Sequence, residues 1–134
     1  MILRLLPVLI VMAFIFSLSH LPGDSLDSNY PEGSDKVYHA VIYGLLALSC
    51  IYAVRSGSDN RKPPLIKGLA IVIFCIIYGI TDEYHQSFIT GRSADWRDLT
   101  ADTFGAFLMV LGWWHWLYHR VRKGSMKNLN RTRN

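Results

Sequence analysis

Long apolar runs separated by short polar segments dominate the chain, and this pattern predicts helices that cross a membrane. The hydrocarbon core of a bilayer is about 30 Å thick, which a helix of roughly 20 residues spans. Four runs approach that length, at residues 2–21, 37–54, 64–81 and 99–118. Each run is continuous, without the period-two alternation of a half-buried strand. We therefore predict an all-α, integral membrane bundle of about four transmembrane helices.

The composition agrees with this interpretation. Of the 134 residues, 51% are hydrophobic and only 18% are charged, and the charges are concentrated between the apolar runs. A soluble helical domain would instead distribute its charges along the outer face of every helix. We predict one transmembrane domain over residues 1–118, followed by a basic cytoplasmic tail over residues 119–134.

The distribution of lysine and arginine predicts the orientation. Basic residues accumulate in the cytoplasmic segments of membrane proteins. Eleven of the fourteen lysine and arginine residues lie on one side: one at the start of the first run, four from the end of the second run to the start of the third, and six after the fourth. Both termini are therefore expected in the cytoplasm, and the protein is expected to be a multi-pass protein of the bacterial inner membrane. The basic tail is better explained by contact with anionic membrane lipids than by binding to nucleic acid, so we predict no nucleic-acid partner.

The first run has two interpretations. It resembles a signal peptide, with Arg4 in the basic region, residues 5–16 as the apolar region and Ser17 and Ser19 at a small-residue cleavage site. It can equally be a retained helix. We favour the retained helix, because a bundle this small needs every helix to cover its polar faces.

Polar residues recur on one face of three of the predicted helices, each time near the extracytoplasmic end. These stripes comprise Asp35, His39 and Tyr43 on the second helix, Gly79, Asp82, Glu83 and Gln86 on the third, and Asp98, Asp102, Gly105 and Gly112 on the fourth. Residues three or four positions apart share a helix face. Small residues allow close helix packing in lipid, so we expect Gly105 and Gly112 to face another helix.

The charges on this side form a surplus of acid. Six carboxylates stand against three cations: Asp35, Asp82, Glu83, Asp95, Asp98 and Asp102 against Lys36, Arg92 and Arg97. An outer network of ion pairs would use these residues structurally. A carboxyl group that keeps its proton beside an ionised one instead suits general acid–base chemistry, which is the interpretation we favour. We expect the cluster to meet in one pocket, with Lys36 between Glu83 and Asp98.

The ordered motifs of the chain resemble the VanZ-like family of membrane proteins. They are Asp35-Lys36-x-x-His39-x-x-x-Tyr43, Asp82-Glu83-x-x-Gln86, Arg92 and Asp98-x-x-x-Asp102-x-x-Gly105, with Ser17-x-Ser19 ahead of them. The resemblance implies a membrane bundle with outward-facing polar motifs and a connection to the cell envelope and to teicoplanin susceptibility. Asp102 stands where that family usually has asparagine, which adds an acid to the cluster.

Two hypotheses for function follow, and both use the same residues. The first is a membrane enzyme acting on a lipid-linked or cell-wall substrate. Its catalytic candidates are Glu83, Asp98, His39 and Asp82, and its binding candidates are Lys36, Arg92, Asp35, Tyr43, Gln86 and Asp102. The second is a non-catalytic accessory protein that recognises an anionic lipid head group or a teicoplanin-like ligand. Membrane lipids are expected partners in both.

A metal centre is a third hypothesis. Asp82, Glu83, Asp98, Asp102, His39 and His85 could supply a shell rich in carboxylates. None of the familiar ligand spacings, such as His-Glu-x-x-His, is present. We therefore predict no metal and no cofactor.

Overall fold

The computed structural model describes residues 2–23, 33–55 and 65–131, and these are helical apart from their turns. A short 3-10 helix over Ile2–Arg4 precedes α1 (Leu6–Ser19), α2 (Ser34–Val54), α3 (Leu65–Gln86) and α4 (Trp96–Arg131). No strand occurs within the described ranges. The prediction of an all-α fold with four helices is confirmed. Residues 24–32 and 56–64, which carry part of the charge argument for orientation, lie outside the described residues.

Two helices continue well beyond the ends of their apolar runs. The third run ends at residue 81, but α3 continues to Gln86 because its last turn buries the polar side chains of Asp82, Glu83 and Gln86. The fourth run ends at residue 118, but α4 continues to Arg131 without a break. Hydropathy shows only the apolar part of a helix. It therefore could not show where α3 and α4 end, because both continue into polar sequence.

The turn between α3 and α4 is short and strongly hydrogen-bonded. Gly91 has a positive φ of 76°, a conformation that glycine adopts without steric cost. The backbone N–H of Gly23, after α1, donates to the Thr90 carbonyl at 3.1 Å. Asp95 begins α4, since its Oδ1 accepts the Arg97 backbone N–H at 2.9 Å in the manner of an N-cap. The turn is therefore fixed to α1 on one side and to α4 on the other.

Helices α2 and α4 pack most closely, and glycine permits their approach. A Cβ atom at Gly105 would collide with the backbone carbonyl of Ala40, and one at Gly44 would lie 3.4 Å from the Gly105 carbonyl oxygen. Gly112 behaves differently, because a Cβ there would meet nothing within 4 Å. The expectation that both glycines of the α4 stripe face a helix holds for Gly105 and is wrong for Gly112, where the stripe has turned outward. The core around this contact contains Leu46, Ala47, Ile71, Cys75, Ala106 and Val110.

The outer surface of the bundle is apolar. On α2 the exposed side chains include Val37, Val41, Leu45 and Leu48, and α1, α3 and α4 expose comparable sets. An apolar surface of this extent marks a protein that contacts lipid or other proteins. Among the described residues, α2 and α3 are long and apolar enough to cross a membrane, whereas α1 is apolar but shorter.

The two ends of the bundle differ in charge. At the end where α2 finishes, the guanidinium groups of Arg55 and Arg120 lie 4.7 and 5.1 Å from the centroid of the Trp116 ring. At the opposite end, where α2 and α4 begin, the carboxylates of Asp35, Asp95 and Asp98 surround one lysine. The acidic end also holds the polar stripes.

Candidate functional site

Lys36 and three carboxylates form the rim of the site. The Lys36 Nζ donates to Asp35 Oδ2 and to Asp98 Oδ1, both at 2.8 Å, and lies 3.6 Å from Asp95 Oδ2. Asp98 is only 14% exposed, whereas Asp35 is 58% exposed. The inner ion pair, Lys36 with Asp98, therefore links α2 to the first turn of α4, and the outer pair faces solvent.

His39 lies one turn deeper and pairs with the most buried carboxylate. Its Nδ1 is 2.9 Å from Oδ1 of Asp102, and its Nε2 is 3.9 Å from Oδ2 of Asp98. Asp102 is fully buried, and its Oδ2 has no hydrogen-bond partner among the described residues. A carboxylate that accepts the Nδ1 proton orients the ring and leaves Nε2 available for proton transfer.

Glu83 reaches the same cluster from α3. Its Oε2 accepts the backbone N–H of Asp95 at 2.7 Å, and its Oε1 is buried without a partner among the described residues. The expectation that Lys36 lies between Glu83 and Asp98 holds for Asp98 alone. The physical reason is Asp95, which lies between Glu83 and Lys36. Its backbone N–H binds the Glu83 carboxylate, and its own carboxylate lies near the Lys36 ammonium group.

A second polar group faces α1. Nε2 of Gln86 lies 3.1 Å from Asp82 Oδ2 and, more distantly, 3.4 Å from the Ser19 hydroxyl. Arg92 donates from Nη1 to Gln86 Oε1 at 3.0 Å, and from Nε and Nη2 to the carbonyls of Leu21 and Leu18. These carbonyls belong to the last turn of α1 and the residues after it, so Arg92 closes the end of that helix.

A cavity of about 360 Å³ joins the two groups. One wall is apolar, with Ile15 and Leu18 from α1 and Ile42 from α2, and the other end is polar. The polar lining comprises Ser19, Asp35, His39, Tyr43, Asp82, Gln86 and Arg92, with Tyr38 beside them. This volume is within the range of small-molecule sites. The combination suits an amphiphile whose polar end contacts the carboxylates, His39 and Arg92.

Tyr43 lines the cavity, whereas His85 packs elsewhere. Tyr43 is 1% exposed, and its hydroxyl is buried with no partner among the described residues. His85 instead stacks on Phe16, with ring centroids 4.6 Å apart, and its Nε2 lies 3.3 Å from Nδ1 of His20. His85 therefore packs against α1, away from the carboxylates of α4.

The structure brings all ten candidate residues to one end of the bundle, in two adjoining groups. Sequence reasoning counted Asp95 in the acidic cluster and Ser19 in a family motif, but it named neither as a catalytic or binding candidate. The capping role of Asp95 was detectable, since an aspartate just ahead of a helical run is a typical N-cap. The contact of Ser19 with Gln86 was not, because it joins residues 67 positions apart.

Comparison with known proteins identifies a family. A family model described as VanZ/LLP1 matches residues 4–118, which is most of the chain. Neither the comparison with curated proteins nor the one with solved structures gave a match.

Proposed function

The chain belongs to the VanZ/LLP1 family, and from this premise we propose that it is an integral membrane protein acting on a lipid-linked or cell-envelope substrate. The observation that carries the proposal is the cavity, in which an apolar wall meets the carboxylates of Asp35 and Asp82, the imidazole of His39 and the guanidinium of Arg92. We extend the proposal to teicoplanin susceptibility, which the VanZ resemblance implies.

The membrane placement follows from surface and charge. A charged residue in the middle of a bilayer costs about 2.5–3.5 kcal/mol on insertion scales, so charged groups in such helices face protein or water. Asp82, Glu83 and Asp102 are buried in the bundle, whereas the exposed surface of α2 and α3 is apolar. The eleven basic residues on one side favour a cytoplasmic location for Arg55 and both termini. The acidic end then faces outward, in the bacterial inner membrane.

The contacts of α1 favour a retained helix. Tyr78 donates its hydroxyl proton to the Met12 carbonyl at 2.7 Å, and Arg92 binds the carbonyl of Leu18. Ile15, Leu18 and Ser19 also form one side of the cavity. Removing α1 would open the cavity and leave Arg92 without its carbonyl partners. Residues 1–118 thus act as one domain, to which residues 119–134 add a basic tail.

The geometry supports the following roles for the candidates. Arg92 lines the cavity, and its three contacts leave one N–H on Nη1 and one on Nη2 for a phosphate or carboxylate head group. His39, supported by Asp102 and close to Asp98, is placed to take part in removing a proton from water or a substrate hydroxyl. Glu83 is not among the residues that line the cavity, and it holds the start of α4 by accepting the Asp95 backbone N–H. Lys36 neutralises the rim and orients Asp98.

Native mass spectrometry of the purified protein tests whether the cavity binds an amphiphile. We expect a co-purified anionic lipid or lipid-linked species on the wild type and its loss in Ile42→Trp, which fills the cavity, and in Arg92→Met. Ile73→Trp is the matched control, because Ile73 is 46% exposed on the outer surface of α3. Equal retention by Ile42→Trp and Ile73→Trp would contradict the proposal.

The non-catalytic binder remains the alternative function, and the same cavity supports it. Its distinguishing property is the response to loss of one carboxylate. In an enzyme, Asp98→Asn abolishes turnover while the amphiphile still binds. In a binder, the phenotype follows the bound amount.

A further inference from the structure

A half-buried imidazole from α2 and two buried carboxylates, one from α3 and one from α4, lie close enough to share one ion. A nitrogen of His39 and carboxylate oxygens of Glu83 and Asp102 are all within 4.8 Å of one another. We propose that these residues bind a single divalent transition-metal ion, with Zn²⁺ and Mn²⁺ as the fitting species. The inference rests on the proposed function, because it names the ion with which the same site would act.

The second observation is the state of the two carboxylates. Glu83 is 7% exposed and Asp102 is 0% exposed, and each has one oxygen, Oε1 and Oδ2, that is buried without a partner among the described residues. A buried carboxylate oxygen without a hydrogen bond or a counter-charge is strongly disfavoured. Lys36 does not supply the charge, since it is engaged by Asp35, Asp95 and Asp98. His39 contacts Oδ1 of Asp102 and not the unpartnered Oδ2. A divalent cation bound among the three groups would supply positive charge to both carboxylates.

The donor set selects the class of metal. One imidazole and two carboxylates make a three-ligand site with room for water, as in catalytic zinc sites. Imidazole favours transition metals, and carboxylates also suit Mn²⁺, whereas Mg²⁺ prefers oxygen ligands and retains several waters. Ligands about 2 Å from a common ion lie between about 3 and 4 Å from one another. The spacing of up to 4.8 Å therefore closes around an ion by small side-chain rotations.

The site explains why the familiar ligand spacings are absent. The three ligands come from three helices, at positions 39, 83 and 102, so no local motif records them. Gly79 contributes space, because a Cβ atom there would lie 3.2 Å from Asp102 Oδ2. The prediction of no metal was based on the absence of a local ligand motif. A site assembled from three helices has no such motif.

A metal here would give the proposed reaction its nucleophile. Water bound to Zn²⁺ loses a proton far more readily than bulk water. Asp98 stays outside the ligand set and lies 3.9 Å from His39 Nε2. Asp98 would therefore be the nearby carboxylate that accepts that proton.

Metal titration of the full chain tests the inference. The protein is purified in detergent without a polyhistidine tag, stripped with a chelator and titrated with Zn²⁺ and with Mn²⁺ by calorimetry, with elemental analysis for stoichiometry. We expect one tight site per chain. Glu83→Gln and Asp102→Asn should each weaken it by at least about 100-fold, because each removes a charged ligand. Glu83→Gln keeps an oxygen for the Asp95 N–H, so circular dichroism should show an intact fold.

The matched control uses a pair of histidines far from the proposed site in the sequence. His115 and His119 lie on α4 with ring centroids 4.3 Å apart, and both are exposed, so they could bind metal at the surface. His39→Gln should abolish the tight site, and His119→Gln should leave it unchanged. The inference is overturned if wild type binds no metal, or if His119→Gln removes binding that Asp102→Asn retains.

The two proposals fail separately. If the wild type binds the amphiphile in native mass spectrometry but takes up no Zn²⁺ or Mn²⁺, the metal inference is wrong and the proposed function stands. If one metal binds and depends on Asp102 while Ile42→Trp leaves the bound amphiphile unchanged, the metal site stands and the amphiphile proposal is wrong.

Discussion

Replacing Gly105 with alanine should separate α2 from α4 and destabilise the protein. The new Cβ would collide with the backbone carbonyl of Ala40, and a backbone atom cannot move aside by changing rotamer. Overpacking of this kind costs about 1–3 kcal/mol, and the rigid partner favours the upper end of that range. Alanine recovers about 1 kcal/mol through its higher helix propensity. We therefore expect a net loss of about 2 kcal/mol in the free energy of unfolding.

Gly112→Ala is the matched control, on the same helix two turns later. Nothing lies within 4 Å of a Cβ at that position, so only the propensity gain remains, at most about 1 kcal/mol. The two variants should differ by about 3 kcal/mol in reversible unfolding by SDS in mixed micelles, followed by circular dichroism. Gly105→Ala should also weaken ligand binding, because Ala40 adjoins His39 and Gly105 lies one turn from Asp102. Equal stability of the two alanine variants would refute the close approach of α2 and α4.

Three further predictions concern orientation, the first helix and the rim. A cysteine introduced at Ser28 should react with a membrane-impermeant thiol reagent in intact cells, and one at Ser58 should not. Both positions lie outside the described residues. The reverse labelling pattern would overturn the orientation. Mass spectrometry of the purified protein should find a chain that still contains α1, whereas a mature N-terminus near His20 would leave three helices. Lys36→Met should reduce stability by about 1 kcal/mol, most at low salt, and Lys36→Arg should restore it; a Lys36→Met variant as stable as wild type would show that the rim contributes nothing.

The helical fold was predictable from the sequence because long apolar runs admit few structures. The polar faces were predictable as well, since residues at spacings of three and four share a helix face, as Asp98 and Asp102 do. The contact partners of those residues could not be predicted from the sequence. Periodicity gives no rotation of one helix about another, so it could not show that Asp102, and not Glu83, pairs with His39.

The turn before α4 shows the same limit. Asp95 connects Glu83, Lys36 and the start of α4, and its contact with Glu83 runs through a backbone N–H that every residue except proline carries. Such a contact cannot be predicted from the type of side chain.

The expectation that Gly112 faces another helix was wrong for a related reason. Small residues permit close packing but do not require it, and the outward turn of α4 depends on the packing of the whole bundle.

The most direct test of the central claim is envelope lipid analysis in a strain that lacks the gene. The account predicts that one lipid-linked species accumulates, and that wild type restores its level. The double variant Glu83→Gln and Asp98→Asn should reach the membrane in normal amount and fail to restore it. Asp59→Asn, in the segment between α2 and α3 outside the described residues, is the matched carboxylate control and should restore it fully. Full restoration by the double variant would contradict the assignment of this site.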